Sequence, residues 1–150
     1  MKTETVELAG DTDTAVLEEL ARHALEAGYV EEAYVDALLD RERDYPTGLR
    51  IERDPDPYGV AIPHADPDHV REQAVLVGLP ESTATFRSMD DADREIEVDV
   101  VVLLLVTETE GYSAFLSNLT KLFQDDDFAR LVLEKDGPAL AALIADRAVP

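Results

Sequence analysis

Residues 100–106 read Val-Val-Val-Leu-Leu-Leu-Val, an apolar run with no polar interruption. It is far short of the roughly 18 apolar residues that a membrane-spanning helix needs. It is the right length for a strand. A strand that alternates apolar and polar residues can face water on one side; this one cannot, because both of its faces are apolar. It has to lie inside a sheet, with further layers packed above and below. The spacing predicts one strand over 98–107, central in that sheet.

The rest of the chain supplies the other strands and the covering layers. A short edge strand is expected over 5–8, and further strands over 58–62, 74–79 and 85–87. Asp11, Thr12 and Asp13 offer N-caps for a helix running to about Ala27, and Gly28 supplies its stop. Val16, Leu17, Leu20, Ala24 and Leu25 fall on one face of that helix. A second helix is expected over 31–44, with Ala33, Tyr34, Ala37, Leu38 and Arg41 at helical spacing, ended by the turn chemistry of Tyr45-Pro46-Thr47-Gly48. Asp54-Pro55-Asp56-Pro57 reads as a rigid loop. Helices are expected over 113–123, 128–133 and 138–145; Asp125-Asp126-Asp127 suits a loop or a helix start, where negative charge favours the dipole. Helices flanking a set of strands give an α/β domain: a mixed sheet with helices on both faces. The 150 residues are expected to form one domain.

Composition narrows the function classes. There is no cysteine, which removes disulfides, thiolate metal sites and cysteine nucleophiles together. The N-terminus has no signal-peptide core, so a soluble, cytoplasmic protein is expected. The net charge is −21, with 34 acidic residues against 13 basic ones, and only Lys2, Lys121 and Lys135 of the latter are lysines. A chain so acidic is a poor partner for nucleic acid, which needs basic clusters. The acids are spread along the chain rather than gathered in a tail. Dispersed acidity suits work in strong salt, where screening removes self-repulsion. A halophilic source is therefore expected, against the alternative of an ordinary acidic cytoplasmic protein.

The chemistry-bearing segment is Gly59-Val60-Ala61-Ile62-Pro63-His64-Ala65-Asp66. It reads as a buried strand, a proline stop and a histidine where the strand leaves the sheet. Neutral imidazole has a lone pair at neutral pH and can act as a nucleophile. A histidine satisfying backbone groups at a strand end is the other reading. Asp66-Pro67 suggests a helical turn just after His64, whose N–H groups would form an anion site beside the ring. A phosphate there would need an arginine. Arg41, Arg43, Arg50 and Arg71 are nearest in sequence, and Arg41 is favoured, since it can project from the end of the second helix. His64, Asp66, Asp68 and His69 also spell a metal-ligand set that a hydrolase could use. His69 is otherwise a surface residue, and His23 a structural one within the first helix.

The segment from Gly59 to Val70, with Pro46-Thr47-Gly48 upstream and Arg41-Glu42 ahead of that, resembles the enzyme IIA component of the sugar phosphotransferase system. The likeness is to the fructose–mannitol superfamily and, within it, the galactitol-type branch. The pattern Phe115-Leu116, Leu119, Leu122 and Asp125 to Phe128 extends it over nearly the whole chain. The resemblance implies the type-2 enzyme IIA fold, an α/β sandwich around a mixed sheet, and no cofactor or metal. It implies that His64 receives a phosphoryl group on Nε2 from the phosphocarrier protein HPr and passes it to enzyme IIB. IIB then phosphorylates a sugar or polyol, of galactitol or fructose type, carried inward by membrane enzyme IIC. It places Arg41 beside the phosphate. It puts Tyr112 where many relatives carry a second histidine; a phenol can donate a hydrogen bond there but cannot carry positive charge. A regulatory IIA that reports phosphorylation to other proteins would use the same His64. Ile62 and Phe115 are expected to border an apolar partner surface.

Overall fold

Along the strand Val100–Leu105, neighbouring side chains leave for opposite layers. Val101, Leu103 and Leu105 enter one hydrophobic cluster, and Val100, Val102 and Leu104 enter a second. The period of two along a strand turns an unbroken apolar run into two cores, one on each face. The computed structural model describes residues 1–149.

In chain order the elements are β1 (Lys2–Leu8), α1 (Asp13–Glu26), α2 (Ala33–Asp44), β2 (Gly48–Ile51), β3 (Tyr58–Ala61), β4 (Ala74–Pro80), β5 (Ala84–Arg87), β6 (Glu95–Val98), β7 (Val100–Leu105), α3 (Thr109–Leu122), α4 (Asp126–Leu133) and α5 (Gly137–Arg147). The main sheet has the order β1-β4-β7-β3-β2, so β7 is its middle strand, as the apolar run requires. β1 lies parallel to β4 and β3 parallel to β7, while β4–β7 and β2–β3 are antiparallel. The sheet is thus mixed, with helices on both faces. α1 and α2 cover one face through Leu17, Leu20, Tyr34 and Leu38. On the other face, α3, α4 and α5 contribute Phe115, Leu119, Phe128 and Ile144. No helix among the described residues is long and apolar enough to cross a membrane.

Local chemistry sets the ends of the elements. Thr12 Oγ1 accepts from the Ala15 N–H at 3.2 Å and caps α1. Beyond its C-terminus Gly28 takes φ +82°, a left-handed conformation that glycine adopts without penalty. The acidic run is a helix start: Asp125 accepts from the N–H groups of Asp127 and Phe128.

Several expected boundaries move. Residues 98–107 are not one strand. β6 pairs with β5 in a separate two-stranded ribbon, and the chain breaks at Asp99 before β7 begins. The Asp99 N–H donates to the Gly59 carbonyl at 2.8 Å, and its Oδ2 accepts from the Gly59 N–H at 2.9 Å. Its own carbonyl accepts from Lys135 Nζ at 2.9 Å. A Cβ on Gly59 would sit 2.0 Å from the Glu97 carbonyl oxygen, so only glycine permits this crossing. β2 is a strand where none was expected, and it begins at Gly48, the last residue of the expected turn. α3 starts at Thr109, a full turn earlier than residue 113. On α2 the buried positions are Tyr34, Val35, Leu38 and Glu42, whereas Ala33 and Arg41 are exposed. Phe115 lies fully inside the core and so cannot border a partner surface.

Candidate active site

β3 and β7 run parallel and adjacent, so their C-terminal ends open at the same edge of the sheet. Crevices beyond the carboxyl ends of parallel strands are where open α/β sheets hold ligands. His64 follows β3 there, three residues past Ala61, and Tyr112 sits in the first turn of α3, which follows β7. Their rings lie 4.4 Å apart between centroids, tilted by 44°. The Tyr112 hydroxyl is 2.6 Å from His64 Nδ1 and 2.9 Å from Nε2.

Nδ1 also faces the Ile62 carbonyl at 3.3 Å. That oxygen can only accept, so a proton on Nδ1 would donate to it, with the Tyr112 hydroxyl lying against both ring nitrogens. In that tautomer the lone pair is on Nε2, within reach of the Tyr112 O–H at 2.9 Å. Burial holds the His64 ring below the ordinary histidine range. The Ile62 hydrogen bond opposes that shift, the nearby Arg41 charge adds to it, and Asp66 opposes it. The ring is therefore neutral at neutral pH. Burial pushes the Tyr112 phenol up to about 12, against the pull of Arg41, so it stays a donor.

Arg41, near the end of α2, is close enough for its charge to bear on both rings. Its guanidinium rests over the Tyr45 ring, 4.4 Å from the centroid, a cation–π contact. Among the described residues it pairs with no carboxylate, although the chain carries 34 acidic residues. A cation so placed is available to an incoming anion.

Two further residues belong to the neighbourhood. Glu42 is 5% exposed, and its carboxylate accepts from both the N–H and the Oγ1 of Thr47, each at 2.7 Å. Burial raises its pKa to about 7, although both Thr47 hydrogen bonds act in the opposite sense. Residue-type reasoning gave neither residue a role. The available signal was a glutamate on the inner face of an amphipathic helix, five residues before a threonine that precedes a strand.

Two expectations about the segment after His64 are corrected. The helical turn expected after His64 is present as a single 3₁₀ turn, Pro67–His69, with proline at its start, but Asp66 makes no capping hydrogen bond to it. The longer helix beside His64 is α3, whose N-cap, Glu108, likewise makes no side-chain cap bond. The second correction concerns the metal-ligand set. Among the described residues no three His, Asp or Glu side chains gather as a group able to hold a metal ion. His69 turns instead toward Glu31, with Nδ1 3.6 Å from its carboxylate. Its backbone carbonyl accepts from the Glu31 N–H at 2.9 Å, which fixes that direction.

Residues 1–146 match the family model described as "Phosphoenolpyruvate-dependent sugar phosphotransferase system, EIIA 2". The chain belongs to this enzyme IIA family. Its relatives include the galactitol-specific EIIA component of Escherichia coli K12, 27% identical over 79% of this chain and 75% of that one. Another is the fructose-specific EIIA component of Haloferax volcanii, 28% identical over 83% and 77%. Enzyme IIAMTL, solved in complex with phosphorylated enzyme IIBMTL from Escherichia coli, shares the fold. Its TM-score is 0.72 at 19% identity, over 97% of this chain and 95% of that one. The IIA type-2 architecture expected from the sequence is thus the one present, and the chain is a component of the phosphotransferase system.

Proposed function

We propose that this enzyme IIA relays a phosphoryl group through Nε2 of His64, taking it from phospho-HPr and passing it to an enzyme IIB. The observation that supports the proposal is the Ile62 carbonyl 3.3 Å from Nδ1; a proton donated there leaves Nε2 as the basic nitrogen. The Nε2 lone pair attacks phosphorus as the bond from phosphorus to the donor breaks, and the electron pair leaves with the donor. The ring gains positive character as the new bond forms, and the Nδ1–H held by the Ile62 carbonyl stabilises it. Charge on the three equatorial phosphoryl oxygens needs donors fixed in advance. Arg41 supplies a cation, and the phenol of Tyr112 swings its hydrogen bond from Nε2 to an oxygen. The reverse geometry serves delivery to IIB. A phosphoimidazole remains a good donor because its leaving nitrogen is readily protonated, so little energy is lost at the relay.

The named relatives act with galactitol and fructose, and the mannitol neighbour was solved with its phosphorylated IIB. That kinship supports phosphoryl delivery to a IIB, in the cytoplasm and ahead of a membrane-borne IIC. The experiment mixes phosphoenolpyruvate, enzyme I and HPr with the protein and reads its intact mass. Wild type gains one phosphoryl group and His64→Ala gains none. A phosphoryl group on His64→Ala removes the proposal.

A further inference from the structure

Glu42 is a buried carboxylate that meets no cation within 4 Å among the described residues. Both of its oxygens are spent on one residue, Thr47. A buried carboxylate without a counter-charge is costly to keep. Ending the helix does not require it, since the Tyr45 N–H already closes α2 onto the Arg41 carbonyl at 2.8 Å.

What Thr47 touches next gives the arrangement a purpose. The β2–β3 ladder begins with Gly48 opposite Ala61. Thr47 lies one rung beyond it, and its carbonyl accepts from the Ile62 N–H at 3.4 Å. The Ile62 carbonyl then faces His64 Nδ1. A rung outside a ladder frays unless something else holds it. Here Glu42 holds Thr47 by two bonds, Thr47 holds Ile62, and the Ile62 carbonyl faces Nδ1 of the histidine.

We infer that Glu42 is a positioning residue for His64, acting through Thr47 to hold the Ile62 carbonyl against Nδ1; this rests on His64 being the phosphoryl acceptor. Glu42 touches neither the donor protein nor the phosphoryl group. Its loss lets the rung open, Nδ1 loses its acceptor, and the ring proton spends part of its time on Nε2, where it blocks attack.

Two measurements on the whole chain test this. The first is the tautomer of unphosphorylated His64, read from imidazole ¹⁵N chemical shifts in wild type, Glu42→Gln, Thr47→Val and Thr47→Ser. Gln cannot accept from both Thr47 donors, Val lacks the hydroxyl, and Ser keeps both donors. Wild type and Thr47→Ser are expected to hold the Nδ1–H form, and the other two a mixture. The second is phosphoryl acceptance from phospho-HPr. The rate at saturating donor is expected to fall about tenfold in Glu42→Gln, the scale of a small misplacement of a reacting group. The donor KM stays within about twofold, as befits a residue that does not touch the donor. Thr47→Ser restores both readouts, which a loss of general stability would not explain.

A folded Glu42→Gln with an unmoved tautomer and an unchanged rate overturns the inference. Should Glu42→Gln fail to fold, Thr47→Val and Thr47→Ser decide it, and equal tautomers and rates in that pair overturn it. A wild type that takes no phosphoryl group on His64 defeats the relay reading instead; the ¹⁵N comparison still decides whether Glu42 sets the tautomer.

Discussion

The hydroxyl of Tyr112 lies within hydrogen-bond reach of His64 although the two residues are 48 positions apart in the chain. Their meeting follows from topology. Parallel neighbours β3 and β7 end at one edge of the sheet, and each chain continues into the same crevice. A phenol there donates in the resting state and can donate again to a bound phosphoryl oxygen. On the proposed relay, removing it strips one donor from the transition state. Tyr112→Phe is therefore expected to slow phosphoryl acceptance about tenfold or more, the worth of one hydrogen bond to a charged group. Quench-flow with phospho-HPr measures this, and a rate equal to wild type assigns Tyr112 to packing alone.

The acceptor should stay active into mildly acidic solution. Burial depresses the His64 pKa below its ordinary 6.5. The neutral, nucleophilic ring thus persists as pH falls through 6.5 and is lost only below it. The same sign governs stability. The unfolded chain binds this proton more readily than the folded one, so His64 costs stability as pH falls below 6.5. An NMR titration of the His64 ring reads the midpoint directly. Arg41→Gln removes a neighbouring positive charge and is expected to move that midpoint up. A midpoint above 6.5 in wild type would show that the ring is not desolvated as described.

Glu42 makes the opposite contribution to stability. Its folded pKa of about 7 stands above the ordinary glutamate value of 4.5, chiefly through burial, with Asp13 adding to the shift. Between these values the folded state binds the extra proton, so stability falls as pH rises from about 4.5 to about 7. Glu42→Gln has no such titration. The melting temperature of the variant relative to wild type is expected to improve from pH 5 to pH 8. A difference that stays flat or reverses over that range contradicts the burial of an ionisable group at this position.

Salt dependence tests the reading of the acidic composition. The net charge of −21 is spread over a surface with few cations to pair it. The Debye length shrinks from about 10 Å at 0.1 M to about 3 Å at 1 M, which removes most of the self-repulsion. Thermal stability is expected to climb steadily toward molar potassium or sodium chloride. A melting temperature independent of salt would reduce the acidity to ordinary composition.

Much of the fold was legible because few solutions satisfy an uninterrupted apolar strand. Residues 100–106 required a central strand and two covering layers, and both are present. What escaped was decided by contacts between distant residues. Asp99 looked like a tolerated polar residue in a long strand, but its bonds to Gly59 make it the corner between the ribbon and the sheet. Leu49 to Ile51 is too short to signal a strand and becomes one by pairing with β3. The place of His64 just past a strand end was legible from its proline context, and that of Arg41 from its helix. Glu42 was hidden by its chemistry: a glutamate usually belongs on the solvent side of a helix, and only the two donors of Thr47 make its inward position tolerable.

The central claim concerns one nitrogen atom. The direct measurement labels the histidines with ¹⁵N, charges the protein through phosphoenolpyruvate, enzyme I and HPr, and records long-range proton–nitrogen spectra with phosphorus coupling. A single phosphoryl group on Nε2 of His64, with His23 and His69 unchanged, is the expected outcome. Phosphorus coupled to Nδ1 of His64, or to either of the other two histidines, contradicts it.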